Sequence, residues 1–187
     1  MARRPDRGPT PRPHVRAAGP RDVEVLVRHR HGMWEDIDGN TSYSARALAE
    51  ADRVYRAWLL PRLRRHEVVG FIAEHPRGSP VGSGCVWLRE LQPRPLWPSG
   101  KLPYVMSMYT EPSARGKGAA SSILRSMLRW ARKEGYPRVS LHASDMGRGV
   151  YANLGFERTW EMRYDLRSAH PAPRKARSER SVRGARR

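Results

Sequence analysis

Residues Tyr104–Ile123, YVMSMYTEPSARGKGAASSI, decide the architecture of this chain. Tyr104–Thr110 consists of β-branched, aromatic and Met residues with only Ser107 polar, which predicts a strand buried on both faces. A turn follows Pro112 and carries Arg115, Gly116, Lys117 and Gly118. Ala119, Ala120, Ser121 and Ser122 then lead into Ile123, Leu124, Met127, Leu128 and Ala131, an apolar stripe at helical spacing. A glycine-bearing turn at a helix start leaves backbone N–H groups pointing outward without partners. The helix dipole adds partial positive charge there, and Arg115 and Lys117 add full charges. The pattern predicts an anion site, and a phosphate is the anion it suits best.

Two common phosphate loops are excluded by spacing. The nucleoside-triphosphate loop needs G-x-x-x-x-G-K-[ST], which is absent. The dinucleotide fingerprint needs a third glycine beyond Gly116 and Gly118 and a strand-end acid about twenty residues on, and neither is present. Arg115-Gly116-Lys117-Gly118-Ala119-Ala120 does fit [QR]-x-x-G-x-[GA]. Downstream, Val139–Ala143 predicts a short strand and Gly147–Leu154 a short helix closed by Gly155. That helix carries Tyr151-Ala152-Asn153-Leu154-Gly155-Phe156, a Y-x-x-x-G-F element. Loop and element together, in the order strand, loop, helix, strand, helix, resemble the GNAT superfamily of acyl-CoA-dependent N-acyltransferases. The resemblance covers about residues 13–167, including a strand-like last segment, Met162–Leu166.

Composition bounds the remaining possibilities. The 187 residues suit one domain with flexible ends. A single cysteine, Cys85, excludes an internal disulfide and points, with the absence of a signal-like segment, to a reducing cytoplasm. No Cys/His set has zinc spacing, so no metal is expected, and no apolar run reaches the roughly 20 residues of a membrane span. The net charge of +18 is concentrated at the ends. Arg3, Arg4, Arg7, Arg12 and Arg16 oppose only Asp6, and Arg174, Lys175, Arg177, Arg180, Arg183, Arg186 and Arg187 oppose only Glu179. Residues 1–11 and 168–187 are therefore expected to be disordered. Such tails fit either weak contact with nucleic acid or ribosome, or simple solubilisation; they lack the interleaved aromatics of a single-strand platform.

The predicted domain, 12–167, is α/β (α+β): a mixed, centrally parallel, splayed sheet with helices on both faces. Arg12–Ala17 predicts the first strand, and Asp22 caps a helix to about Met33 whose His29 and His31 face solvent or a loop. Gly32–Asn40 reads as a loop or a helix end. Trp34 beside Glu35, Asp36 and Asp38 in a basic chain fits either a cationic acceptor or a cap and surface turn. Ser44–Arg65 predicts the second helix, which Pro61 kinks or shortens. Glu67–Glu74 and Val81–Leu91 predict a hairpin. Gln92–Lys101 predicts a loop in which Trp97 is a local anchor or part of a substrate mouth.

The resemblance carries further implications. In the superfamily the strand before the loop and the next parallel strand splay at a bulge, and the pantetheine arm of acyl-CoA lies between them. By position, Met108, Tyr109 and Thr110 would meet the pantetheine and thioester, and the N–H groups of Arg115, Gly116, Lys117, Gly118, Ala119, Ala120 and Ser121 would cradle the diphosphate. Ser144 stands where many relatives have a coenzyme-contacting Asn. Tyr151 is the implied general acid toward the leaving thiolate, and a phenol with pKa of about 10 suits that role. Acceptor contacts are expected from Trp34, Glu35, Tyr104 and His142. The base is open among Glu35, Glu111, His142 and Asp145. The expected activity is acetyl-CoA-dependent acetylation of a primary amine on a small molecule or peptide, by a monomer or homodimer. The competing expectations are a longer acyl donor, or a protein of this fold that binds nucleic acid or ribosome through its tails.

Overall fold

The computed structural model describes residues 13–37, 43–93, 95 and 100–162. One compact unit ends at Phe156. It holds a five-stranded sheet in the order β1-β2-β3-β4-β5, with β1 His14–Ala18, β2 Val68–Glu74, β3 Pro80–Glu90, β4 Lys101–Thr110 and β5 Ser140–Leu141. The first four strands pair antiparallel, and β4 pairs parallel with β5. The parallel pair thus lies at one edge of the described sheet. Residues Glu157–Met162 form neither strand nor helix, and the rest of the expected last strand lies outside the described residues. The same holds for both basic tails, Asp38 and Trp97.

Two helices precede the hairpin: α1 Val23–Ile37, entered by a 3-10 turn at Pro20–Asp22, and α2 Ala45–Arg64. Asp22 accepts from the Gly19 N–H at 2.9 Å and from the Arg16 guanidinium, fixing the entry into α1. α1 runs to Ile37, past the expected end near Met33, so that Gly32 and the residues after it form the helix end. Gly32 is present because the Tyr109 hydroxyl crosses the helix there; a Cβ would stand 2.7 Å from it. Ser44 caps α2 by accepting from the Ala47 N–H at 3.2 Å. Pro61 does not shorten α2, because it lies in the last turn and the helix closes three residues later.

Period-two alternation sends β2 and β3 side chains to two cores. Leu26, Val27, Tyr55, Leu59 and Leu63 from α1 and α2 pack on Val68, Ile72 and Cys85. The Arg30 guanidinium lies 4.3 Å above the Tyr55 ring and 5.3 Å from that of Trp34, which ties the two helices together. On the other face, α3 (Ala119–Lys133) buries Ile123, Leu124 and Met127 against Phe71, Ala73, Val86 and Val105. Each fully buried Leu or Ile contributes about 1.5–3 kcal/mol. A five-residue helix, α4 Arg148–Ala152, closes the unit.

The expectation that Tyr104–Thr110 is buried on both faces holds only at Val105. Leu102, Pro103 and Val105 are buried, whereas Met106–Thr110 are half-buried. The cause is β5. Only Ser140 and Leu141 pair, with Tyr104 and Val105, so the strand expected over Val139–Ala143 is two residues long.

Candidate functional site

The splay begins at a bulge. Ser83 is opposite Tyr109 and Cys85 is opposite Met106, so Ser107 and Met108 together face Gly84. Ser107 takes φ 53°, a left-handed value rare outside glycine. Gly84 makes room, since a Cβ there would stand 2.3 Å from the Met108 sulfur. A bulge bends its strand and re-aims side chains. Here it turns Met108–Thr110 away from β5 and leaves one edge of β4 without a described partner beyond Val105.

The opened space is a cleft of about 190 Å³. Met108, Tyr109 and Thr110 form one wall, and Ser144, Met146, Gly147, Val150 and Tyr151 form the other. Ala120 and Leu124 of α3 lie at its end, with Arg115, and Met33 and Asp36 of α1 complete it.

The head of α3 stands at that end. Gly118 is its N-cap, at φ 83°, and no side chain caps it. Ser122 is the first to donate back, to the Gly118 carbonyl at 2.9 Å. Among the described residues, nothing accepts from the N–H groups of Gly116, Gly118, Ala119, Ala120 or Ser121. Gly116 and Gly118 face open space. The N–H groups of Arg115 and Lys117 are directed inward, to Pro112 and Ala114 carbonyls at 3.3 and 3.4 Å, so they are not part of the open set. The Lys117 ammonium donates to the Ser113 carbonyl at 2.7 Å. An uncapped helix head with five outward N–H groups is complementary to a diphosphate.

Tyr151 packs edge-on against Phe156 at 5.9 Å, and Gly147 lets its ring lie close, since a Cβ there would be 2.8 Å away. Burial raises the phenol above its ordinary pKa of 10, so it holds its proton more firmly than a free tyrosine. Ser144 begins the turn that leads into α4: its carbonyl accepts from the Gly147 and Arg148 N–H groups, both at 3.1 Å, and its hydroxyl from Gly147 at 3.3 Å.

The four residues expected to meet an acceptor adjoin the cleft without lining it. Tyr104, paired with Ser140, and His142, just past the end of β5, hydrogen-bond to each other, with the Arg89 guanidinium 4.7 Å from the Tyr104 ring. Trp34 meets Tyr43 edge-on at 6.3 Å, and Glu35, 61% exposed, points toward His31 at 3.6 Å. Among the base candidates, Asp145 is paired with Arg148 at 2.6 Å and 92% exposed. Glu111 lies 3.3 Å from His29.

His29 does not face solvent as expected; it is 1% exposed. It sits on the side of α1 that faces the sheet, against Ser83 of β3 and Tyr109 of β4. Its Nδ1 is 2.9 Å from Ser83 Oγ and its ring 5.4 Å from that of Tyr109. The Glu111 carboxylate lies off the N–H line, so burial dominates, and it lowers the ring's pKa to about 4. His31 instead reaches Asp52 at 2.7 Å.

Met33 was not expected in the cleft, and Asp36, read in sequence as serving either a cationic acceptor or a cap and surface turn, lines it. They are three residues apart and share a helix face once α1 extends through Ile37; helical spacing carried past Gly32 is the signal that finds them.

Comparison with known proteins agrees with this geometry. The acetyltransferase (GNAT) family matches residues 31–156. A GCN5-related N-acetyltransferase from Ralstonia eutropha JMP134 superposes with a TM-score of 0.72 and 28% identity, over 83% of this chain and 99% of that one. An acetyltransferase from Clostridium acetobutylicum, solved with acetyl-CoA, gives 0.71 and 26% over 84% and 99%. Human N-acetyltransferase 8B is 27% identical over 107 residues, 46% of this chain and 47% of its own. The chain thus spans about half the length of the curated relatives it matches.

Proposed function

The chain belongs to the GNAT acetyltransferase family, and on that premise we propose that it transfers an acetyl group from acetyl-CoA to a primary amine, within a complex that holds both substrates. The observation that carries this reading is the coincidence of a splayed strand with an uncapped helix head at the end of one cleft. Acetyl-CoA, when bound, supplies an activated thioester. The N–H groups of Gly116, Gly118, Ala119, Ala120 and Ser121 hold its diphosphate, and being fixed in advance they reorganise little. The open edge of β4 from Met106 to Thr110 offers backbone groups to the amide-bearing arm. Tyr151 Oη, kept protonated by burial, holds the proton that a departing thiolate needs. Ser144 contacts the coenzyme from the opposite wall. Trp34, Glu35, Tyr104 and His142 flank the acceptor's approach. Holding amine and thioester in one cleft makes the attack effectively unimolecular.

The experiment is calorimetric titration with CoA, followed by thiol release from acetyl-CoA against a panel of amines, aminoglycosides and peptides. One-to-one binding and amine-dependent release are expected. No CoA binding defeats the proposal. Binding with no release across the panel favours a binding protein of this fold, and release only with longer acyl donors revises the donor. Among the described residues no helix is long and apolar enough to cross a membrane.

A further inference from the structure

A carboxylate is misplaced in a cleft whose end is shaped for a diphosphate. Asp36 lines that cleft with Met108 and Tyr151. Its charge is met by the Arg115 guanidinium, which pairs with it directly. Arg115 also donates from Nε to the Thr110 carbonyl at 3.0 Å, and its Cζ lies 5.8 Å from the centre of the Tyr109 ring. The pair therefore joins the end of α1 to the loop before α3, across the cleft. Both side chains remain partly open to solvent, 29% for Asp36 and 43% for Arg115.

Arg115 immediately precedes Gly116, the first residue of the open N–H set. A bound diphosphate would bring more negative charge than one carboxylate, and several acceptor oxygens suited to a guanidinium fork. A solvent-open ion pair is weak, so Arg115 can change partners at little cost. Asp36 would then be left as an uncompensated anion in a cleft already holding an anionic coenzyme. The species that restores balance is a cation, and an amine acceptor arrives as an ammonium.

We propose that Asp36 is the acceptor-binding carboxylate, screened by Arg115 until the coenzyme's diphosphate draws Arg115 away. This rests on the acyl-transfer reading above and names its acceptor class as a cationic amine. Asp36 acts as a specificity and positioning residue, and coenzyme binding creates the site at which the second substrate docks.

The test has two arms. In the first, CoA is titrated calorimetrically into the wild type, Asp36→Asn, Arg115→Met and the double variant. Asp36→Asn tightens CoA about two- to fivefold when Arg115 is present, the range expected for releasing an exposed pair, and leaves it unchanged when Arg115 is Met. Equal tightening in both backgrounds means that Asp36 simply repels the diphosphate, and overturns the exchange. In the second arm, spermidine and a lysine-containing tetrapeptide are titrated into the free protein and the CoA complex. Binding about tenfold tighter to the complex is expected, within the usual range of site coupling, and is lost in Asp36→Asn. Equal affinity for both forms, an unchanged Asp36→Asn, or no ammonium binding to the complex overturns the proposal. If the wild type binds no CoA, the acyl-transfer reading fails first; CoA binding with no dependence on Asp36 defeats only this inference.

Discussion

The two halves of β4 have the same backbone and opposite uses. Up to Val105 the strand is paired with β3, and at Tyr104 and Val105 also with β5, with Leu102 and Val105 buried. From Met106 onward it keeps β3, bulges at Ser107–Met108, and has no described partner on the other edge. The floors differ as well. Val105 rests on the apolar α3 core, whereas Tyr109 lies over the buried polar pair of His29 and Ser83. The lesson is that one strand supplies stability where its hydrogen bonds are shared and an open edge where they are withheld. The withheld edge belongs to a strand that keeps its pairing with β3 along both halves.

Four measurements break or sharpen that contrast. The largest effect is expected from acid. His29 has its folded pKa lowered to about 4 from 6.5, so between those values the unfolded chain binds the extra proton. Its contribution is present above pH 6.5 and is lost as pH falls to about 4, on the order of 3 kcal/mol. Urea unfolding across that window reads it, and His29→Asn flattens the curve. A wild-type curve already flat from 6.5 to 4 would mean that the floor tolerates a charge.

Next is Tyr151→Phe in the splayed cleft, expected to lower kcat about 100-fold, the low end for a lost general acid, with CoA affinity within about twofold. A large affinity loss with unchanged kcat would make the ring a packing residue. Val105→Ala acts on the paired half alone. It is expected to cost about 2 kcal/mol of unfolding free energy while the folded fraction turns over normally. If turnover falls with stability, the two halves are not separable. Smallest is Gly118→Ala, which forces a side chain into φ 83° for about 1 kcal/mol. Its Cβ meets nothing within 4 Å, so the strain acts on the direction of the α3 head. Weakened CoA binding with a nearly unchanged Tm is the expected result.

Much of this was legible in residue order. The strand before the loop, the glycines at 116 and 118, the apolar stripe Ile123, Leu124 and Met127, and the Y-x-x-x-G-F element all lie within 53 residues of one another, and their chemistry is local. Periodicity reports which face of a helix is apolar, and a left-handed turn favours glycine whatever surrounds it. Three features needed the fold. The length of β5 depends on how far β4 bends, and that depends on the fit of Gly84 beneath Met108. The burial of His29 depends on α1 lying across the sheet, since a helical His flanked by Arg28 and Arg30 carries no sign of it in sequence. The Asp36–Arg115 pair joins residues 79 apart, and no local rule connects them. Local geometry and patterning are properties of a few neighbouring residues, so the sequence alone determined the glycine-bearing turn and the two cores. Which charges and edges remain unpaired is a property of what lies opposite, and that was decided only by the tertiary structure.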